Sequence, residues 1–203
     1  MEAAISAKDV KALRDRTGAG MMDCKRALEE SQGDVDKAVE ILRVKGQAQA
    51  AKRGGRMATE GFVSSYIHAT GKIGVLVEVD CETDFVSATD QFREFARDVA
   101  IHVAAAAPRY VAEEDVPEDV REAELRIFRE QAAADGKPAE VQEKIAEGRM
   151  RKWLEEVVLL RQRHVNEEKH GGKTIEELRT EVAASTGENV VIRRFQRFQV
   201  GEE

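Results

Sequence analysis

The stretch that most constrains the fold is IGVLVEVDCETDFV, residues 73–86. Ile73, Val75, Val77 and Val79 alternate with Gly74, Leu76, Glu78 and Asp80, the two-residue period of a β-strand with one buried face. Upstream, GFVSSYIH (residues 61–68) reads as a second strand, with Val63 and Ile67 on one side and Phe62 and Tyr66 on the other. The turn Ala69-Thr70-Gly71-Lys72 joins the two into a hairpin. At Cys81 the alternation stops. Phe85 and Val86 follow Asp84 directly, and Ser87, Thr89 and Asp90 offer N-caps for a following helix. An aromatic beside a carboxylate, on a short loop between strand and helix, has the shape of a wedge. An aromatic folding back into the core gives the same pattern, and spacing alone leaves both readings open.

Helical periods flank this hairpin. Ser6 and Asp9 make an S-x-x-D N-cap signature for a helix ending at Thr17, with Val10, Leu13 and Thr17 on one face. Gly18-Ala19-Gly20 breaks it. A second helix over residues 21–31 turns Met21, Cys24, Ala27 and Leu28 inward and stops at Gly33. Asp34 caps a third, with Val35, Ala38, Val39 and Leu42 at i, i+3, i+4 and i+7, ending at Gly46. The result is a three-helix bundle too small to bury much surface, a size suited to recognition. Met21 and Met22 open the second helix about 100° apart, so that one faces inward and the other offers a soft apolar contact at the surface; the pattern equally fits both being partly buried.

Residues 47–58 form a linker whose Ala/Gln/Lys half is open to continuing as helix, with a joint at Gly54-Gly55. Beyond the hairpin, Phe92, Phe95, Ala96, Val99 and Val103 mark an amphipathic helix. Pro117 and Pro138 each open another, and Gly148 inside the latter predicts a kink or close packing. Thr174 and Glu177 cap a last helix, and residues 189–200 close the chain as a strand. Phe195 and Phe198 are three apart, which predicts a bulge or bend between them. The fold class is α+β: a bundle over residues 1–46, a linker over 47–58, and an α+β core over 59–203 with a small antiparallel sheet.

Composition narrows function. A net charge of −7 argues against a general nucleic-acid binder. The local exception is residues 43–56, with five basic side chains (Arg43, Lys45, Lys52, Arg53, Arg56) and no acid. They read as a solvated linker, with weak RNA contact the open alternative. Two cysteines, Cys24 and Cys81, are too few for a disulfide framework or thiolate metal site. The N-terminus has neither a basic n-region nor an apolar h-region, and no run is long enough to span a membrane, so a cytoplasmic protein is expected. No phosphate loop, dinucleotide fingerprint, serine elbow or H-E-x-x-H occurs. His68, Cys81, Glu82 and His102 match no standard zinc spacing. As a nucleophile, Cys81 is disfavoured by the neighbouring Asp80 and Glu82. No cofactor and no enzyme activity are expected; the chain looks like a protein that acts on another protein.

VKALRDRTGAGMMDCKRALEESQGDVDKAVEILRVKG (residues 10–46) resembles the N-terminal domain of the elongation factor Ts family, and VEVDCETDFV (77–86) is an independently placed second match. YIHATGKIGVLVEV, EGRMRKWLEEVVLL and NVVIRRFQRFQVG resemble the family core, so the resemblance covers essentially the whole chain. It implies a ubiquitin-associated-like bundle, a linker and a core dimerisation domain. It also implies guanine-nucleotide exchange on elongation factor Tu, in its GDP-bound and nucleotide-free states, without membrane or direct nucleic-acid contact. By the same resemblance Arg14, Met21 and Met22 meet the nucleotide-binding domain of that GTPase. Thr83, Asp84, Phe85 and Val86 insert beside its magnesium site and help displace the metal. Two departures stand out. Gln162-Arg163-His164-Val165 replaces the family's usual Gln-Pro-Phe-Val, which implies a charged, titratable surface in place of an apolar turn. The chain is also of the short type, lacking the second core half and coiled-coil insertion of longer relatives, which implies a homodimer. The rival readings are an adaptor that uses the Met21/Met22 turn and a metal-dependent hydrolase on His68, Cys81 and His102.

Overall fold

The computed structural model describes residues 5–136 and 138–202. The first four residues, part of the N-terminus read above as no signal peptide, lie outside that range. By contact the chain forms two compact units. One holds residues up to Ser64 with Val77–Asp98 and Glu177–Arg193; the other holds Ser65–Leu76, Val99–Glu176 and the residues from Arg194 on.

In the first unit α1 (Ala7–Thr17) starts at a complete capping box. Ser6 Oγ accepts the Asp9 N–H at 3.2 Å and the Asp9 carboxylate accepts the Ser6 N–H at 3.2 Å. α2 (Met21–Glu30) and α3 (Val35–Arg53) complete the bundle around Val10, Leu13, Cys24, Ala27, Leu28, Ala38 and Leu42. α3 differs from expectation because it runs through Gly46 to Arg53. A helical glycine costs about 1 kcal/mol relative to alanine, and two features offset it. The following Ala, Gln and Lys residues are strong helix formers, and the helix is tied along its length. Arg43 pairs with Glu177 at 3.2 Å, Lys45 with Glu30 at 2.6 Å, and Arg53 donates to the Ala183 carbonyl at 3.1 Å. With Arg56 bound to Glu82 at 3.3 Å, four of the five basic residues in this stretch are engaged within the chain. Arg43, Lys45 and Arg56 remain exposed to solvent while so paired.

β1 (Glu60–Ile67), β2 (Ile73–Cys81) and, at the chain's end, β3 (Val191–Gln199) form one sheet in the order β1-β2-β3. Val75, Val77 and Val79 are buried as the alternation requires, while Val63 and Ile67 of β1 lie exposed. At Gly61 the strands lie too close for a side chain, since a Cβ there would stand 2.4 Å from the Val79 carbonyl. In β3 the alternation slips at Arg193-Arg194, both exposed, so Phe195 is half-buried and Phe198 points outward. The two phenylalanines lie on opposite faces, and the irregularity sits before them. β2 leads through the one-turn helix α4 (Asp84–Ser87) into α5 (Asp90–Ala106).

In the second unit α6 (Glu118–Ala134) and α7 (Ala139–Val157) pair as a hairpin. Arg129–Glu143 and Arg149–Asp135 ion pairs, at 2.6 and 3.0 Å, join them. Pro117 and Pro138 are the N-caps of these two helices, each opening one as the sequence predicts. Gly148 lies within the continuous α7, and a Cβ there would meet open space, so close packing does not explain it. Trp153, Leu154, Val157 and Val158 meet Tyr110, Val116, Leu125 and Phe128 in a local core. After a 3₁₀ turn come α8 (Glu167–His170) and α9 (Ile175–Thr186), the latter continuing into the first unit.

The Gln162–Val165 segment departs from expectation in half of its residues. Arg163 and Val165 are exposed, but Gln162 and His164 are buried. The His164 ring lies between those of His102 and His170, tilted to the first and edge-on to the second, with centroids 5.3 and 4.2 Å away. Val165 donates its N–H to His102 Nδ1 at 3.2 Å, and Asn166 donates to His164 Nδ1 at 3.0 Å. Those acceptor nitrogens carry no proton. Gln162 spends its amide N–H on the Glu156 carbonyl at 2.6 Å, so its oxygen accepts from His102 Nε2 at 2.9 Å. His102 and His164 are therefore buried, with their Nδ1 atoms accepting backbone N–H groups, and do not form a charged surface.

Candidate partner-binding site

The residues that end β2 set the site. Burial pushes the Cys81 thiol up to about 11, with Glu188 adding to the rise and Asp80 a lesser cause. A thiol so far from ionisation is no nucleophile; it donates to the Thr83 carbonyl at 3.2 Å. Thr83 stays extended and caps α4, its hydroxyl accepting the Val86 N–H at 3.4 Å. Asp84 to Ser87 make a single helical turn, closed by Ser87 Oγ donating to the Asp84 carbonyl at 2.9 Å. Thr89 then caps α5 by accepting the Phe92 N–H at 3.3 Å. On this turn Thr83 and Val86 are half-buried, Asp84 is exposed, and Phe85 is 81% exposed. Of the two placements open for Phe85, the structure shows the outward one.

Two residues that the sequence reading passed over brace the turn. Glu188 Oε2 accepts the N–H groups of Glu82 and Thr83 at 2.9 and 3.0 Å, and its Oε1 accepts the Thr83 hydroxyl at 2.6 Å. Arg93 donates to the Ser87 carbonyl at 3.3 Å and lies over the Phe62 ring, 5.3 Å from its centre. Glu188 stands more than a hundred positions from the residues it holds, so no local pattern could have found it.

In the bundle, Arg14 is exposed, and so are Met21 and Met22, at 58% and 60%. Met21 therefore departs from its expected inward place. The inner face of α2 begins at Cys24, and Ala19 of the glycine turn packs against the bundle core; Cys24 Sγ donates to the Ala19 carbonyl at 3.6 Å. Ala19 of the turn, and not Met21, is the residue here that packs against the bundle core.

The four residues considered for a metal have separate partners. His68 Nδ1 meets the Tyr66 hydroxyl at 3.1 Å, Glu82 holds Arg56 and the Asn189 N–H, and His102 sits in the imidazole stack. Among the described residues no group of three or more His, Cys, Asp or Glu could hold a metal ion, and no helix is long and apolar enough to cross a membrane.

The family model described as Elongation factor TS matches residues 6–171. The chain is 58% identical to the elongation factor Ts of Carboxydothermus hydrogenoformans over 198 residues, 98% of this chain and 90% of that protein. It is 54% identical to that of Caldanaerobacter subterraneus subsp. tengcongensis, covering 98% of each. Against that of Thermosipho melanesiensis it is 52% identical over 98% of this chain and 100% of the relative.

Proposed function

The chain belongs to the elongation factor Ts family, and on that premise we propose that it binds elongation factor Tu and promotes release of GDP. The observation that carries this reading is Phe85, held 81% exposed on a one-turn helix whose backbone is braced at both ends. A large apolar ring held outward on a braced turn suits contact with a partner. The factor engages the GDP-bound and the nucleotide-free GTPase, and Thr83-Asp84-Phe85-Val86 inserts near the magnesium site. Such a site holds GDP through phosphate contacts and through the metal that bridges phosphate and protein. Phe85 pushes between the groups on which those contacts depend, and Asp84 brings negative charge to the metal's ligands. Arg14 and the exposed Met21 and Met22 supply a second contact, on the nucleotide-binding domain.

The coupling is reciprocal: what loosens GDP is itself loosened when nucleotide returns. A ~1,000-fold faster release needs about 4 kcal/mol off the dissociation barrier, within the means of a few interface contacts. Exposed Ile67, Leu76 and Phe198 on the strands of the second unit suit pairing with a second copy, the homodimer expected of a short-type member. The reading places the protein in the cytoplasm, with its partner.

The test is release of a fluorescent GDP analogue from elongation factor Tu with wild type, Asp84→Ala and Phe85→Ala. The expected result is strong acceleration by wild type and reduced acceleration by both folded variants. No acceleration by wild type would falsify exchange, whereas unchanged rates in the variants sink only the wedge. Light scattering that reports a monomer at micromolar concentration, alone and with partner, removes the homodimer.

A further inference from the structure

A four-residue helix has no stability of its own, because helix formation starts from an unfavourable nucleus. If its backbone gave way, a ring pressed into a partner would deform the loop before the partner. The bracing around α4 removes that freedom. Residues 82–83 and 188–189 are laced by reciprocal contacts: Glu188 takes the N–H groups of Glu82 and Thr83, while the Glu82 carboxylate takes the Asn189 N–H at 2.6 Å. Asn189 also donates its amide N–H to the Arg56 carbonyl at 2.9 Å, and Arg56 returns to Glu82. Glu188 follows Gly187, whose φ of +78° lets the chain leave α9 and turn back toward β2. Hydrogen bonds to an ionised carboxylate are the strong kind, and this one takes two backbone donors and a hydroxyl on adjacent residues.

We propose that Glu188 is the positioning residue of the tip: its carboxylate fixes the backbone of Glu82 and Thr83 so that binding energy at Phe85 acts on the partner instead of being absorbed by the loop. The proposal rests on the wedge reading. Glu188 itself need not touch elongation factor Tu, and its removal therefore changes the maximal rate of GDP release more than the affinity. That division between rate and affinity separates positioning from a direct contact and from simple support of the fold.

The experiment measures release of a fluorescent GDP analogue from elongation factor Tu against factor concentration. It uses the full chain as wild type, Glu188→Ala, Glu188→Gln, Phe85→Ala and the Phe85→Ala/Glu188→Ala double variant. The expected maximal rate of Glu188→Ala is about tenfold below wild type, with the half-saturating concentration changed less than about twofold. Glu188→Gln keeps one acceptor oxygen for the backbone N–H pair and falls between the two; it decides the matter if the alanine variant melts below the assay temperature. In the Phe85→Ala background, Glu188→Ala lowers the rate by less than about twofold, because the tip through which it acts is gone. A wild-type maximal rate in both folded Glu188 variants overturns the proposal and leaves the wedge reading standing. An equal loss with and without Phe85 overturns it too, as the mark of an effect that does not pass through the tip. Full activity of Phe85→Ala overturns the wedge reading and this proposal together.

Discussion

Phe85 and His164 reverse the usual places of their side chains: the phenylalanine is 81% exposed and the histidine 2%. Each inversion rests on backbone N–H groups, used in opposite ways. At the tip, the Glu188 carboxylate and the Thr83 hydroxyl accept those groups, so the backbone stands firm and the ring needs no neighbour to hold it. The stabilisation forgone by leaving such a ring in water is about 2 kcal/mol. In the stack, the N–H groups of Val165 and Asn166 are accepted by the imidazoles themselves, which ties the packing to their neutral form. One region holds an apolar group ready for a partner. The other keeps polar groups inside on condition that they stay uncharged.

Acid breaks this comparison with the largest expected effect. Burial pushes His102 down from 6.5 to about 4, with the nearby His164 adding to the fall and the Gln162 hydrogen bond opposing it. Between those values the unfolded chain holds the proton and the folded chain does not. Stability from this group is therefore full above about pH 6.5 and is lost as pH falls toward 4, by up to about 3 kcal/mol. Urea unfolding at pH 7 and pH 4.5 measures the loss, and His102→Gln should flatten the slope. An unchanged slope in that variant would mean the stack does not depend on neutrality.

Next in size is Phe85→Ala, expected to lower the maximal rate of GDP release by about 30- to 100-fold while shifting stability by less than about 0.5 kcal/mol. His164→Ala is its mirror. It should cost about 2 kcal/mol of stability by opening a cavity in the stack, and leave the maximal rate of the folded protein unchanged. Thermal melts beside the exchange assay report both. If Phe85→Ala melts early, or His164→Ala releases GDP slowly while folded, the division between a working tip and a structural stack fails.

The sequence made some of this legible and hid the rest for physical reasons. Period-two alternation in β2 is a local signal, and Val75, Val77 and Val79 are buried as it requires. Ser6 and Asp9 act within four residues of one another, so their capping box could be read directly. Gly46 misled because its local cost is opposed by partners far along the chain, Glu177 and Ala183 among them. His164 misled for the same reason. A histidine beside an arginine looks exposed until His102 and His170 are brought to its ring. At the tip, alternation stopped at the right place, but only tertiary contacts show that Phe85 points outward and that Glu188 braces it.

The Met21/Met22 turn is a third case, and it predicts the smallest effect. Like Phe85, both side chains are apolar and exposed, but the N-cap of α2 is Gly20, with no side-chain hydrogen bond to the helix's first N–H groups. Among the described residues no carboxylate or guanidinium holds this turn as Glu188 and Arg93 hold the tip; only the weaker bonds of Thr17 and Cys24 to Ala19 do. Methionine is unbranched and polarizable, suited to settling against a surface and poorly suited to forcing one apart. Its contribution should therefore appear in binding and not in the rate once bound. Met21→Ala/Met22→Ala is expected to raise the half-saturating concentration about fivefold and to keep the maximal rate within about twofold. That corresponds to about 1 kcal/mol of binding free energy. The same titration reads both quantities. A loss of maximal rate at unchanged half-saturation would give the methionines the role assigned to Phe85, and the contrast between a braced tip and an adaptable one would no longer separate the two contacts.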